Sequence, residues 1–368
     1  MSSYKAPGRL GDSSLELKTD PRTNTRLLAA LKAFGLDGKA PTPDVQVTAS
    51  NEEIAALMGA GEQAFEALYE ALPNELPSDK DEPEIEHTIE TIKGIDDNDI
   101  KLHIHRQKRL TGQKLPCVVY IHGGGMTLLK TANKVHQRWT RSLAAAGAVG
   151  IAIDFRNAYI DGQHNPFPKG LNDVVAGVKW IAAHKAELGI DRIVLQGESG
   201  GGNLSCAAAL KANNEGWINQ IDGVYALCPF ISGGYDWSQE RKLKEIPSAI
   251  ENAGYLLDPH NSALTKKYYS PNDGENPLAW PYHATPEQLK GLPPHVLNMD
   301  ELDFLRDEGI AYSRKLEAAG VPVVASVNLG VTHAASLIFR QALPDLHNTT
   351  INNIVTFAKS LKPPAARL

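Results

Sequence analysis

The chain has 368 residues, 42% hydrophobic and 22% charged, with 37 Lys and Arg against 43 Asp and Glu for a formal net charge of -6. That profile excludes a mostly disordered chain and allows two domains or one large domain with an elaboration. The mild acidity argues against a nucleic-acid partner, which needs a basic surface to displace counterions. Cys117, Cys206 and Cys228 show no CxxC spacing and are odd in number, which argues against a zinc site or a disulfide scaffold and suits a reducing, cytoplasmic location.

The opening stretch from Met1 to Leu10 is polar and lacks the apolar core of a signal peptide. Further on, Thr23 to Phe34 carries helical spacing at Leu27, Leu28, Leu31 and Phe34. A second helix opens on Ser50 and Glu53, the two ends of a capping box, and its apolar stripe runs through Ile54, Met58, Phe65, Leu68, Tyr69 and Leu72 to Pro73. The stretch Pro73 to Pro83, with three prolines and several charges, reads as a linker. Residues 1–83 are therefore expected to form a helical appendage.

Beyond Glu84 the period changes. Ile100, Leu102 and Ile104 alternate with polar residues, the mark of a half-buried strand, which puts His103 and His105 on its solvated face. Short apolar runs follow at 117–121, 149–153, 192–195, 224–228, 294–297 and 323–327, separated by helical stretches such as 171–188 and 305–319. The longest apolar run, 143–153, is too short to span a bilayer and reads as a helix end, a turn at Gly147 and a buried strand. Strands alternating with helices predict an α/β protein whose parallel sheet is covered on both faces. One interval breaks the rhythm: 232–292, rich in Pro, Trp and Tyr, is far too long for a connecting loop and is expected to pack with residues 1–83 as a lid. The catalytic unit is then 84–231 with 293–368. Asn-x-Ser/Thr triplets at Asn203 and Asn348 read as chance matches.

Gly197-Glu198-Ser199-Gly200-Gly201 follows the strand 192–195 and precedes a small-residue helix. That is the setting of a nucleophile elbow, a turn so sharp that the serine hydroxyl stands clear of the sheet. His122-Gly123-Gly124-Gly125 follows the strand 117–121, and its bare amides, with that of Gly200, can form an oxyanion hole. The elbow's chain order is Ser, acid, His. Of 12 histidines only His333 and His347 lie late enough, and His333 sits in a loop directly after the strand 323–327 while His347 reads as a surface residue. The acid must come from the carboxylates after strand 294–297, where Asp300 and Asp303 are both candidates and spacing does not choose.

Taken together, His122-Gly-Gly-Gly, Gly-Glu-Ser199-Gly-Gly-Gly-Asn, Glu-Leu-Asp303-x-Leu-Arg-Asp-Glu-Gly and the late His333 resemble the hormone-sensitive-lipase-like α/β-hydrolases. The Gly-Glu-Ser variant is most similar to the brefeldin A esterase group. The resemblance covers about Pro116 to Lys359 and implies an α/β-hydrolase fold, with a central mostly parallel sheet flanked by helices and a helical cap. It also implies Asp303 as the acid and Gly124, Gly125 and Gly200 as the oxyanion amides. Phe304, where the family usually has proline, and Ala334, where it usually has glycine, depart from the pattern without removing a catalytic atom.

The expectation is a serine carboxylesterase for short- to medium-chain esters, with Ser199, His333 and Asp303 as its triad and no metal or organic cofactor. A lactone hydrolase is the alternative. A ligand-binding homologue, such as the gibberellin receptors that lack the histidine, fits less well because His333 is present. Tyr235, Trp237, Trp280 and Tyr282 are candidate pocket walls, although packing among cap helices is the stronger expectation. The expected partner is a small-molecule ester, without membrane anchoring, and the strand 323–327 offers an edge for a homodimer.

Overall fold

Eight strands share one sheet: β1 (Ile85–Lys93), β2 (Asp99–Gln107), β3 (Leu115–Ile121), β4 (Val149–Ile153), β5 (Ile190–Glu198), β6 (Gly223–Leu227), β7 (His295–Asp300) and β8 (Val323–Asn328). The structure is a computed structural model that describes residues 8, 9, 12 and 14–362; most of the opening stretch weighed above as a leader lies outside them. The spatial order is β1-β2-β4-β3-β5-β6-β7-β8. β1 and β2, and β2 and β4, pair antiparallel, and every other neighbouring pair is parallel. Every residue of β3, β4 and β6 is buried, as expected for strands covered on both faces. β1 has no counterpart in the sequence reading. It is an edge strand with seven of its nine residues exposed, so no apolar alternation marks it.

The helices of nine or more residues are α1 (Thr25–Ala33), α2 (Asn51–Ala71), α3 (Lys134–Ala145), α4 (Lys169–Ala183), α5 (Gly200–Asn214), α6 (Pro259–Tyr269), α7 (Arg306–Ala318) and α8 (Pro344–Ser360). α2 starts on the expected capping box: the Glu53 amide donates to Ser50 Oγ at 3.2 Å and the Ser50 amide to Glu53 Oε2 at 2.9 Å. Among the described residues no helix is long and apolar enough to cross a membrane.

The N-terminal segment and the stretch between β6 and β7 meet above the sheet. α2 packs on α6; His260 Nε2 lies 2.7 Å from the Val45 carbonyl, and Lys267 Nζ donates to the carbonyls of Val47 and Ala49 at 2.7 Å each. The stretch read as a linker is tied down. It holds a short 3-10 turn, Pro77–Asp81, whose Asp79 accepts two hydrogen bonds from the buried Arg340, and Glu82 pairs with Arg138. Its charges look like solvated linker residues only because their partners are remote in sequence.

Three histidines also depart from expectation. His103 and His105 are buried, because α3 packs across the polar-looking face of β2. Burial, and next the charges His87 and His103 would carry, push the His105 imidazole down to about 3. His347 is buried rather than superficial, with Nδ1 2.9 Å from the Ser336 carbonyl and Nε2 3.0 Å from Ser142 Oγ. Asn203 is buried too, its amide donating to the carbonyls of Phe230 and Ala279, so the first Asn-x-Ser triplet is interior.

Candidate active site

β5 ends at Glu198 and α5 begins at Gly200, so Ser199 alone makes the turn. It does so at φ 54° and ψ -119°, a conformation that a residue with a Cβ holds only when its surroundings impose it. They do: the Ser199 amide donates to the Leu227 carbonyl and its carbonyl accepts from the Phe230 amide, both at 3.0 Å. A Cβ on Gly197 would overlap the Gly201 backbone, and one on Gly201 would overlap the Ile121 carbonyl. The two glycines of the pentapeptide are therefore small because the turn folds back on itself and on β3.

The glycine loop after β3 faces this turn. A Cβ on Gly200 would sit 2.5 Å from the Met126 nitrogen and 2.8 Å from that of Gly125, so the Gly200 and Gly125 backbones are nearly in contact. Gly124 and Gly125 take φ of 93° and 62°, left-handed values that favour glycine. The Gly123 amide is engaged elsewhere: it donates to Glu198 Oε1 at 2.6 Å, and the Tyr120 hydroxyl donates to the same oxygen at 3.1 Å. In the sequence Glu198 stands only as part of the Gly-Glu-Ser motif and shows no role of its own. Burial pushes its carboxyl up to about 8, against the hydrogen bonds from Gly123 and Tyr120 that lower it. As pH rises through that value a negative charge appears behind the glycine loop, where it opposes an anion forming at the Gly124 and Gly125 amides. Ester turnover is expected to fall on the alkaline side with a midpoint near 8, and Glu198→Gln should remove that limb while keeping the acceptor for Gly123. A pH profile of kcat/KM for both proteins checks this; an unchanged alkaline limb in the variant refutes it.

His333 and Asp303 come from the loops after β8 and β7. His333 Nδ1 lies 2.6 Å from Asp303 Oδ2, and Asp303 Oδ1 accepts from the Leu305 amide at 3.0 Å. Burial by itself would hold the imidazole neutral, but the Asp303 carboxylate beside it raises the His333 pKa well above the ordinary value. Asp300 makes no hydrogen bond to His333; its Oδ1 accepts from the Asn328 amide group at 2.8 Å, and burial pushes its carboxyl up to about 7. Cys228 Sγ, Asp303 and His333 have ligand atoms within 4.8 Å of one another. Burial pushes the Cys228 thiol up to about 11, so it packs there as a neutral thiol. Ala334 next to His333 takes φ 52°, the left-handed turn for which glycine would be the unstrained residue.

Ser199 and His333 open onto one cavity with Gly124 and Gly125. Its walls include Phe65, Leu68 and Tyr69 of α2, Thr265 of α6, and Phe304 and Phe339. The α2 stripe read as core thus supplies a cavity wall, and Phe304, at the position that departs from the family pattern, supplies another. α2 also braces the glycine loop, since Glu62 and Glu66 accept from the amides of Leu129 and Lys130. The four cap aromatics lie elsewhere: Tyr235 stacks on Phe230 at 4.5 Å, Trp280 meets Tyr235 edge-on at 6.3 Å, and Trp237 packs against Tyr282 at 5.9 Å.

A family model described as the alpha/beta hydrolase fold matches residues 118–337. The chain belongs to that family. Among solved structures, this α/β-hydrolase is similar to a brefeldin A esterase described as a bacterial homologue of human hormone-sensitive lipase: 46% identity, a TM-score of 0.94, and coverage of 96% of this chain and 98% of that one. It is also similar to esterase Est22, at 36% identity and a TM-score of 0.82 over 94% of this chain and 100% of that one. Esterase LipI of Mycobacterium tuberculosis is 34% identical over 215 residues, 56% of this chain and 62% of LipI. Carboxylesterase NlhH of the same species is 34% identical over 226 residues, 60% of this chain and 66% of NlhH. The matches thus span just under two thirds of the length of these curated relatives.

Proposed function

We propose that this α/β-hydrolase is a serine carboxylesterase acting on short- to medium-chain carboxylic esters. The observation that carries the reading is the 2.6 Å Asp303–His333 pair, whose imidazole opens with Ser199 onto one cavity beside two glycine backbones. The names of its relatives, brefeldin A esterase and carboxylesterase NlhH among them, support the same chemistry. In this reading Ser199 Oγ attacks the ester carbonyl as His333 takes its proton, and Asp303 holds the ring and stabilises the imidazolium. The amides of Gly124, Gly125 and Gly200 receive the oxyanion, each such donor contributing about 3 kcal/mol to the barrier reduction. His333 returns the proton to the departing alkoxide, leaving an acyl group on Ser199. It then activates the water that releases the acid. Residues 1–83 and 232–292 act as the cap, with Phe65, Leu68 and Tyr69 of α2 giving the acyl group an apolar wall and Asn261, Ser262 and Thr265 of α6 a polar one.

A panel of p-nitrophenyl esters from acetate to palmitate tests this. Turnover is expected to be highest on the shorter chains and to decline toward palmitate, with Phe65, Leu68 and Phe339 among the walls that the acyl chain meets. A folded protein inactive on every ester, and on lactones offered beside them, would overturn the reading. Three buried cysteines without a disulfide support a cytoplasmic setting. The free edge of β8, with Val324 62% and Val327 36% exposed, supports a homodimer built by pairing that strand with its copy. Light scattering should then give twice the mass of one chain for the wild type and a single-chain mass for Val324→Lys. A monomeric wild type would sink it.

A further inference from the structure

The loop that carries Asp303 is held in part by the cap insertion. Two side chains of the insertion meet it, from the short helix Ser248–Glu251 and from Asn252 just after that helix. The Asn252 amide group donates to the carbonyls of Glu301 and Asp303 at 2.9 Å each, and Ser248 Oγ donates to the Phe304 carbonyl at 2.9 Å. Ser248 and Asn252 are both fully buried, so removing either leaves a carbonyl short of a donor where water does not reach. Arg22 of the N-terminal segment backs this turn: its guanidinium donates to Glu251 at 2.6 Å and to Asn252 Oδ1 at 3.4 Å.

The same loop also meets the histidine loop. The Leu302 amide donates to the Val331 carbonyl at 3.0 Å, and the Gly330 amide to Glu301 Oε2 at 2.7 Å. No proline stiffens the acid loop, since 301–305 reads Glu-Leu-Asp-Phe-Leu. Its carboxylate moves with its backbone, because Asp303 Oδ1 accepts from the loop's own Leu305 amide. The other donors to the Glu301 and Asp303 carbonyls are the Arg306 guanidinium at 3.1 Å and the Arg306 amide at 3.2 Å, which belong to the loop's continuation into α7. Asn252 and Ser248, by contrast, tie the loop to a separate element.

We propose that Asn252, assisted by Ser248, is a positioning residue for the triad. It holds the acid loop where Asp303 meets His333, so the cap insertion aligns the triad as well as walling the cavity. The proposal rests on the serine carboxylesterase reading.

The test is the kinetics of the full chain on p-nitrophenyl acetate with Asn252→Leu, which keeps the side-chain size and removes the donors. Its kcat is expected to fall on the order of 10²-fold, the scale of an ångström-sized misplacement, with KM little changed. The Asp303 carboxylate is what raises the His333 pKa, so a loosened acid loop should also move the acid limb of kcat to lower pH. The other titratable groups around His333, namely Asp300, Cys228 and Glu198, are untouched by the change, as are Arg22, Glu251, Arg306 and Asp307 around the cap turn. In the Asp303→Asn background the same substitution should cost less than about twofold, because a residue that acts through Asp303 then has no carboxylate to position. Ser248→Ala, which removes a single oxygen, should shift kcat and the acid limb in the same direction by less, and it carries the test if Asn252→Leu does not fold. A role confined to stability would lower the unfolding temperature and the active fraction in both backgrounds and leave the acid limb in place; that result would overturn the proposal. So would an Asn252→Leu protein with wild-type kcat. A wild type inactive on every ester would instead overturn the esterase reading itself.

Discussion

Replacing Ser199 with Ala is expected to lower kcat for p-nitrophenyl acetate by about 10⁶, the scale on which a serine hydrolase loses its nucleophile. The residual rate over water, about 10³–10⁴, would then come from the oxyanion amides and from binding alone. Folding should be unaffected. The hydrogen bonds that fix this residue, to the Leu227 carbonyl and from the Phe230 amide, are made by its backbone and survive the change. Ala and Ser carry the same Cβ, so the cost of holding φ at 54° is the same in both. The burst of p-nitrophenol that accompanies acyl-enzyme formation should vanish while the thermal unfolding midpoint stays within about 1 °C of the wild type, which in a chain of this size corresponds to less than about 1 kcal/mol. An Ala variant that still turned over at the wild-type rate would remove Ser199 from the chemistry.

The elbow is legible in the sequence because the reasons for its glycines are local: Gly197 and Gly201 lie within two residues of Ser199, and the overlap a side chain would cause is with that turn and the adjacent β3. The same holds for β3, β4 and β6, whose burial on both faces writes itself as unbroken apolar runs. What could not be read depends on contacts between distant segments. The face of β2 that carries His103 and His105 looks solvated because nothing in its own residues announces that α3 covers it. Glu198 looks like a spacer because its partners, Gly123 and Tyr120, lie 75 or more residues away. The stripe of α2 marks an apolar face, but an apolar face can seal a core or wall a cavity, and Phe65, Leu68 and Tyr69 wall the cavity. The aromatics of 232–292 follow the stronger of the two expectations for them, since Tyr235 and Trp280 pack on Phe230 and on each other rather than lining the cavity.

The choice between the two aspartates is where spacing alone was silent, and their surroundings give them different expected costs. Asp303→Asn should lower kcat by about 10⁴, as the loss of a triad carboxylate does elsewhere. The Leu305 amide donates to Asp303 Oδ1, so in the Asn variant the oxygen stays on that side and the NH2 group turns toward His333. His333 Nδ1 must then accept rather than donate, which puts the ring proton on Nε2, the nitrogen that has to receive the proton of Ser199. The same change removes the negative charge that raises the His333 pKa. The base must be neutral to act, so wild-type activity should be lost as pH falls through a value above 6.5, and in Asp303→Asn that limb should move to lower pH. Asp300→Asn should cost no more than about tenfold. Burial already holds that carboxyl up at about 7, so near neutrality it is partly uncharged and an amide is a close substitute, with an oxygen still available to the Asn328 side chain. The pH dependence of kcat for the two variants separates the roles: an Asp300→Asn protein that lost more activity than Asp303→Asn, or an acid limb unmoved in Asp303→Asn, would take the orienting role away from Asp303.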